Sequence, residues 1–353
     1  MGVCFYVSGH GLGHAARAVR IMEVLPASVP LWIKSVAPES FFRRELHRPF
    51  EYRPEAFDFG AAQQSNFAVD WPKTFREARA MQTSAMRRLA AESRFLEQEG
   101  IRAVVCDIAP PPLQAAAMAG IPGVAVANFT WMDVFRRHAS APEEHRLLRD
   151  YAAAHATATL TLRTPMSFVM RGLPRVTDIP LIAPRGRPQR ARLRRSLGLA
   201  RSDKVALVYL GIWGHQDLDF DRLSALRGVT LVSFLPLPPP IRTLSPDEWL
   251  FADAVASVDA VVAKPGYGTM AACMACGTPV VYYPRAEFAE YAVLRRGLED
   301  WGGAVQMTRR DLMAGRWGAA LDEAFLLHPP RVDASGARKA ARLILQEAGL
   351  HGA

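Results

Sequence analysis

The residues best placed to do chemistry lie near the amino terminus, in a glycine-rich segment that contains two histidines. Residues 8–17 read SGHGLGHAAR, after an apolar run at 3–7 and before a helical pattern at 14–25. A glycine-rich turn between a strand and a helix exposes backbone N–H groups, and a helix N-terminus favours negative charge. Imidazole can act as a base near neutral pH. The segment therefore predicts an anion-binding turn in which His10 and His14 are candidate bases.

A second glycine-rich turn, residues 263–270 (AKPGYGTM), again joins an apolar run to a helical pattern. Gly266 and Gly268 permit a tight turn, and the Thr269 hydroxyl can cap the helix or donate to a phosphate. Lys264 adds a positive charge beside it. The spacing is not that of a P-loop, and the first turn does not match the dinucleotide fingerprint. The two turns together predict a phosphorylated ligand bound between two α/β domains.

Alternating strand and helix patterns surround both turns and must position them. Strands are predicted at residues 3–7, 31–35, 103–107, 123–127, 158–162, 204–210, 230–234, 260–263, 280–283 and 304–307. Helices are predicted at residues 14–25, 72–98, 113–119, 142–156, 220–226, 246–255, 269–275, 288–299, 310–327 and 332–347. Such alternation is typical of doubly wound parallel sheets, which bind ligands at the carboxyl ends of their strands.

The length of 353 residues exceeds what one hydrophobic core comfortably serves, so we expect two domains. The expected boundaries are a first domain at 1–180, a proline- and arginine-rich linker at 181–200 and a second domain at 201–330. A C-terminal helix within 331–353 is expected to return to the first domain. No apolar run reaches the roughly 18–20 residues that span a bilayer, and no signal peptide is recognised, so a cytoplasmic location is expected.

The net charge of +9 suggests an anionic partner. Six arginines cluster between Arg185 and Arg195, which indicates a solvated linker and surface helix, or a contact with an anionic membrane or charged acceptor. No nucleic-acid-binding pattern accompanies the charge, so no nucleic acid is expected. Cys273 and Cys276 form a C-x-x-C inside a helical stretch without a second ligand pair, which favours helix packing over metal or redox chemistry.

These residues resemble glycosyltransferases of the two-domain GT-B fold, the group of UDP-glycosyltransferases and the peptidoglycan GlcNAc transferase. The resemblance covers nearly the whole chain and is carried by Gly13-His14, by Asp107 with residues 120–122, and by residues 264–284. The amino-terminal segment, with the NFTW at 128–131, is also similar to the N-terminal domain of plant arabinokinase. The resemblance implies two Rossmann-like domains facing each other across a cleft.

The resemblance also implies the activity, an inverting transfer of a sugar from a nucleoside-diphosphate sugar, expected to be a UDP-sugar, without a metal or other cofactor. His14 would be the base and Asp107 would orient it. Donor-binding residues would be Gly13, Gly211, Lys264, Gly266, Tyr267, Gly268, Thr269, Glu287 and Glu290. Acceptor-binding residues would be His10, Arg17, Phe129 and Trp131, for a small-molecule, glycan or lipid-linked acceptor. Ala272 stands where the family has a ribose-binding glutamate, which leaves the nucleotide open.

Other interpretations of the same residues stay open. A nucleotide-sugar hydrolase with a Gly-His-x-x-Arg start would use Arg17, and a nucleotide-sugar 2-epimerase or a non-catalytic nucleotide-sugar-binding protein would also fit the fold. His14 and Asp107 could instead serve as helix or turn caps. Phe129 and Trp131 could belong to the core.

Overall fold

The computed structural model describes residues 1–65, 67–211 and 215–350. The chain divides into two compact units. The N-terminal unit contains Met1–Gln64, Val69–Ile182 and the chain from Ser335 onward, and the C-terminal unit contains Ser65–Ala68 and Ala183–Ala334. Residues 183–200, expected as a linker, therefore belong to the C-terminal unit.

The N-terminal unit is built on a parallel sheet whose described strands run in the order β3-β2-β1-β4-β5-β6-β7. The strands are β1 (Gly2–Val7), β2 (Leu31–Lys34), β3 (Glu51–Arg53), β4 (Ile101–Asp107), β5 (Gly123–Ala127), β6 (Leu160–Arg163) and β7 (Val176–Asp178). The helices between them are α1 (Leu12–Glu23), α2 (Glu39–Glu45), α3 (Trp71–Gln98), α4 (Pro111–Met118), α5 (Trp131–Phe135) and α6 (Pro142–His155).

The central strand β1 explains why these sequences are apolar without alternation. Val3, Phe5 and Val7 pack into the hydrophobic core on one face of the sheet, whereas Cys4 and Tyr6 pack into the core on the other face. Successive side chains of a strand point to opposite faces, and a parallel sheet is covered by helices on both. A continuous apolar run is therefore the expected pattern for such a strand.

The C-terminal unit repeats this architecture with strands in the order β10-β9-β8-β11-β12-β13, all parallel. They are β8 (Lys204–Tyr209), β9 (Val229–Ser233), β10 (Arg242–Thr243), β11 (Ala260–Ala263), β12 (Val280–Tyr282) and β13 (Ala304–Gln306). The helices are α7 (Arg190–Ser196), α8 (Phe220–Leu223), α9 (Phe251–Ser257), α10 (Tyr267–Cys276), α11 (Glu290–Trp301), α12 (Arg309–Met313) and α13 (Gly318–Leu326).

The predicted fold class, two doubly wound parallel α/β sheets, is confirmed. In each sheet the strand order reverses beside the first strand of its unit, at β1 and β4 in one and at β8 and β11 in the other. Ligands of open α/β sheets bind at the carboxyl ends of the strands near such a reversal. Both glycine-rich turns follow strands at these reversal points, β1 and β11 respectively.

The last helix, α14 (Gly336–Glu347), belongs to the N-terminal unit. Its Ala340, Ala341 and Ile344 share a hydrophobic core with Ala15 and Ala18 of α1. The chain reaches this helix through a bridge between Ile182 and Ser335.

Several elements differ from the sequence prediction. The short edge strands β3, β7 and β10 and the short helices α2, α5 and α7 were not predicted. The prediction of a single helix at 310–327 is wrong. Gly315, at φ 62°, follows the end of α12 and separates it from α13. The helix predicted at 246–255 begins only at Phe251. Among the described residues, no helix is both long enough and apolar enough to cross a bilayer.

Candidate functional site

The amino-terminal turn depends on glycine for its shape. Gly11 precedes α1 with φ 90° and ψ 159°, a conformation open essentially to glycine alone. A Cβ at Gly9 would lie 2.3 Å from Cγ2 of Val36. No side chain caps the start of α1, and a Cβ at Gly13 would meet no atom within 4 Å. The turn therefore presents the first N–H groups of α1 beside open space.

His14 and Asp107 form the hydrogen bond that the resemblance implied. Asp107 is the last residue of β4, in register with Val7 of β1, so both elements end at the same edge of the sheet. The His14 Nδ1 lies 2.7 Å from Oδ1 of Asp107, and the His14 side chain is 11% exposed. An ionised carboxylate only accepts, so Nδ1 carries the proton and Nε2 keeps its lone pair. This tautomer suits a base.

Arg17 lies one turn along α1 from His14 and holds the other side of the same carboxylate. Its Nε and Nη2 donate to the two oxygens of Asp107 at 2.8 and 2.9 Å, and Nη1 donates to Oδ1 of Asn128 at 2.9 Å. Arg17 is only 3% exposed. The structure thus places Arg17 beneath the histidine as a clamp on Asp107, rather than on a surface open to an acceptor.

The charges around Asp107 keep it ionised. Burial alone would raise the pKa of this carboxyl, but the Arg17 guanidinium and the His14 imidazole outweigh that effect and hold the pKa below its usual range. An ionised carboxylate accepts a hydrogen bond from the neighbouring imidazole, in its neutral or its protonated form. The arrangement can therefore stabilise an imidazolium when His14 takes up a proton.

The backbone directly after Asp107 is strained. Ile108 has φ 71°, and the amide of Ala109 donates to the carbonyl of Asp107 at 2.9 Å. Positive φ at a β-branched residue in so tight a turn is rare and costs of order 1–3 kcal/mol. Such strain clusters at functional sites. Here it redirects the chain immediately after the carboxylate that His14 contacts.

Two aromatic residues expected at an acceptor pocket are buried behind the histidines. The Phe129 ring meets His14 edge to face at 5.9 Å between centroids, and the Trp131 ring meets His10 in the same way at 5.2 Å. Trp131 is 1% exposed and Phe129 is also buried. In this structure they support the two imidazoles rather than offering surface to an acceptor.

Sequence reasoning missed Asp58, which lies buried beside this group. Trp131 Nε1 donates to its Oδ2 at 2.7 Å. Burial raises the pKa of Asp58 and nearby Asp107 adds to the rise, while hydrogen bonds from Ser8 and Trp131 and the charge of His14 oppose it. Ligands of such sheets are expected at the carboxyl ends of strands, a criterion called here the strand-end rule. No strand was predicted near Asp58, so this rule gave no signal for it.

The second glycine-rich turn lies at the carboxyl edge of the other sheet. Gly266 precedes α10 without a side-chain cap, and a Cβ there would meet no atom within 4 Å. Gly268 and Thr269 lie in the first turn of α10, next to the buried Tyr267. Gly211, with φ 73°, follows the neighbouring strand β8. These residues form the helix start and open space expected of an anion cradle.

Charged side chains gather around this cradle. Lys264 follows β11, and its pKa is lowered to about 8 by burial and by the charge of Arg285, which the charge of Glu290 partly offsets. Burial also lowers the pKa of Arg285 to about 10. Glu290 begins α11, whereas Glu287 is exposed. The structure therefore places the charge of Glu290 where it acts on Lys264. It also adds Arg285, which sequence reasoning missed although it closely follows strand β12.

Two further expectations concern this unit. Ala272, at the position where the resemblance implies a ribose-binding glutamate, lies in α10 and is buried. Cys273 is buried in the same helix, Cys276 is half-buried at its last position, and both are free thiols. No cluster of three or more potential metal-ligating residues is found within residues 1–65, 67–211 and 215–350.

The arginine cluster is engaged with its own unit. Arg190 and Arg194 form ion pairs with Asp259 at 2.7 and 3.1 Å, and the Arg192 guanidinium lies 4.6 Å from the centre of the Trp249 ring. Arg185 lies 3.9 Å from Asp333. These contacts account for much of the cluster as the surface of a folded domain.

Solved structures similar to this chain include glycosyltransferases. The kitacinnamycin glycosyltransferase is 18% identical with a TM-score of 0.63, covering 99% of this chain and 95% of that one. Phytolacca americana UGT2, solved with UDP-2fluoro-glucose and pterostilbene, is 14% identical with a TM-score of 0.64, covering 99% and 94%. The chain has the GT-B fold.

Sequence comparison finds a relative that is named as a kinase and not as a glycosyltransferase. The L-arabinokinase of Arabidopsis thaliana is 29% identical over 359 residues, covering 98% of this chain. The chain spans about a third of the length of that relative, 34%. No protein-family model matches the chain.

Proposed function

We propose that this protein is an inverting glycosyltransferase that moves a sugar from a nucleoside-diphosphate sugar to an acceptor hydroxyl. The observation that carries the proposal is the 2.7 Å contact between His14 Nδ1 and the Asp107 carboxylate at the carboxyl edge of the first sheet. The GT-B fold, shared with glycosyltransferases, supports the reaction class. A donor carrying a nucleoside diphosphate is supported by the complexes of two similar solved structures, UGT2 with UDP-2fluoro-glucose and the glycosyltransferase VinC with DTDP.

In the proposed reaction, His14 Nε2 takes the proton of the acceptor hydroxyl as its oxygen attacks the anomeric carbon. The new carbon–oxygen bond forms as the bond to the diphosphate breaks, and the electron pair of that bond leaves with the nucleoside diphosphate. Asp107 stabilises the imidazolium that results, as its low pKa favours. A single displacement inverts the anomeric configuration.

The leaving group is the task of the C-terminal unit in this proposal. The first N–H groups of α10 and the charge of Lys264 are suited to the negative charge that develops on the diphosphate. This electrostatic arrangement would do the work that a divalent cation does in other enzymes.

We expect a UDP-sugar as donor, and the acceptor to be a small molecule, a glycan or a lipid-linked sugar. Contact with an anionic membrane is not part of the proposal, because Arg190, Arg192 and Arg194 of the arginine cluster already contact residues of their own unit.

The proposal is tested by incubating the protein with a panel of nucleoside-diphosphate sugars and acceptors and identifying products by mass spectrometry. His14→Ala should lower the rate of transfer about 10²–10⁴-fold, the usual contribution of a general base. Its UDP affinity, measured by calorimetry, should stay unchanged. The matched control is His47→Ala, which removes an exposed histidine of the same unit and should transfer normally.

The other outcomes identify the alternatives. Free sugar released equally without any acceptor indicates a hydrolase, and an altered nucleotide sugar indicates an epimerase. Tight binding of a donor without turnover indicates a binding protein. Normal turnover by His14→Ala contradicts the assigned base.

A further inference from the structure

Two cations follow neighbouring parallel strands at the carboxyl edge of the second sheet. Ala263 of β11 pairs in register with Tyr282 of β12, so Lys264 and the segment that ends in Arg285 leave the sheet side by side. Arg285 is 6% exposed, and its guanidinium lies 3.4 Å from the centre of the Phe288 ring. A buried arginine fixed against an aromatic ring is part of the site's architecture, not a mobile surface charge.

The two cations are close enough to disfavour one another. The charge of Arg285 lowers the pKa of Lys264, and burial lowers the pKa of both groups. The N-terminus of α10, which is itself positive, starts two residues after Pro265. Like charges gathered where water is scarce are costly unless an anion compensates them.

Glu290 is the acid of this group. Its charge raises the pKa of both Lys264 and Arg285, so it offsets part of their positive charge in the ligand-free protein. One carboxylate against two cations and a helix N-terminus leaves the group positive. The excess is suited to a ligand with more than one negative charge.

We propose that Arg285 is the second cation of the donor site and makes it selective for a nucleoside diphosphate over a monophosphate, with Glu290 as the internal counter-charge. This inference rests on the proposed function and adds a residue and a specificity to it. A diphosphate carries more negative charge than a monophosphate, so its binding depends more strongly on a second positive charge. Removal of Glu290 should act in the opposite direction to removal of Arg285.

The experiment compares the affinities of UDP and UMP by calorimetry at pH 7. We expect Arg285→Gln to weaken UDP binding about tenfold, the factor that about 1.4 kcal/mol produces, and UMP binding less. Glu290→Gln should bind UDP more tightly than the wild type. UDP carries no sugar, so a contact of Glu290 with the donor sugar does not affect this readout. The matched control is Arg296→Gln, which removes an exposed arginine of α11 and should leave both affinities unchanged.

The opposite signs protect the test from misfolding, because damage to the fold weakens binding in both variants. Equal loss of UDP and UMP affinity in Arg285→Gln, or weaker UDP binding in Glu290→Gln, overturns the inference while the proposed function stands. A wild-type protein that binds neither UDP nor TDP nor inorganic pyrophosphate removes the proposed donor site, and the inference falls with it.

Discussion

The carboxyl edges of the two sheets handle charge in opposite ways. At the edge of the N-terminal unit, the Asp107 carboxylate is bound on both oxygens by Arg17 and on one by His14. At the edge of the C-terminal unit, Lys264 and Arg285 lie in one region and the pKa of each is lowered. The negative charge of Glu290 offsets part of their positive charge. The first edge is balanced by its own residues, and the second keeps a positive excess.

This difference separates two chemical tasks on a repeated architecture. Balanced charges with fixed hydrogen bonds hold one tautomer of a histidine in place, which a base requires. An excess of buried positive charge destabilises the free protein and is relieved by an anionic ligand, as expected of a binding site that trades stability for function. Substitutions at the two edges should therefore change stability with opposite signs.

The largest effect is expected from Asp107→Asn in the N-terminal unit. The amide cannot balance the buried Arg17 guanidinium, which would remain as an uncompensated charge at 3% exposure. Breaking a buried pair in this way costs about 3–5 kcal/mol of unfolding free energy. Denaturant unfolding followed by circular dichroism measures it.

A matched substitution in the same unit tests whether burial of the ion pair causes the large loss of stability in Asp107→Asn. Asp178 pairs with Arg163 at 2.6 Å, but its side chain is 72% exposed. Asp178→Asn should therefore cost no more than about 1 kcal/mol, as exposed pairs do. Similar losses in the two variants would mean that the Asp107 network is not a special charge balance.

The opposite change, a gain in unfolding free energy, is expected from Lys264→Met in the C-terminal unit. Replacing a cation whose pKa is lowered to about 8 by burial and by Arg285 removes an unfavourable charge and keeps an apolar chain of similar length. We expect the ligand-free protein to gain about 1–2 kcal/mol of unfolding free energy. Lys73→Met, at an exposed position of α3, should change stability by less than about 0.5 kcal/mol. A destabilised Lys264→Met protein would show that the lysine is compensated within the fold.

Both glycine-rich turns and most of the strands could be predicted from sequence because their signals are local. Strands such as β4 and β11 contain apolar runs bounded by turn residues, and the residues that end such strands lie at the ligand-binding edge. The contact of His14 with Asp107 was expected only through the family resemblance, since 93 residues separate the two.

The remainder depends on tertiary contacts that no local pattern encodes. Arg17 was expected at an acceptor but is buried against Asp107, because a helical position alone does not tell which face meets β4. Edge strand β3 is three residues long with Glu51 and Arg53 exposed, so its composition is that of a loop. Arg285 follows a predicted strand closely, and the strand-end rule applied there would have identified it.

The smallest effect, and the one most specific to the positive edge, is the pH dependence of UDP binding. Free Lys264 loses its proton near pH 8, and a bound diphosphate favours the protonated form. Binding therefore takes up a proton above pH 8, and UDP affinity should fall as the pH rises, by about tenfold between pH 7 and pH 9. Lys264→Arg keeps its charge throughout this range, so the UDP affinity of this variant should stay nearly constant.

Calorimetry of the wild type and of Lys264→Arg at both pH values checks this prediction. A flat wild-type profile, or an equally steep one in Lys264→Arg, would assign the titration to another group and remove Lys264 from the comparison. The balanced edge predicts no such dependence, because the lowered pKa of Asp107 keeps that carboxylate ionised from pH 7 to pH 9.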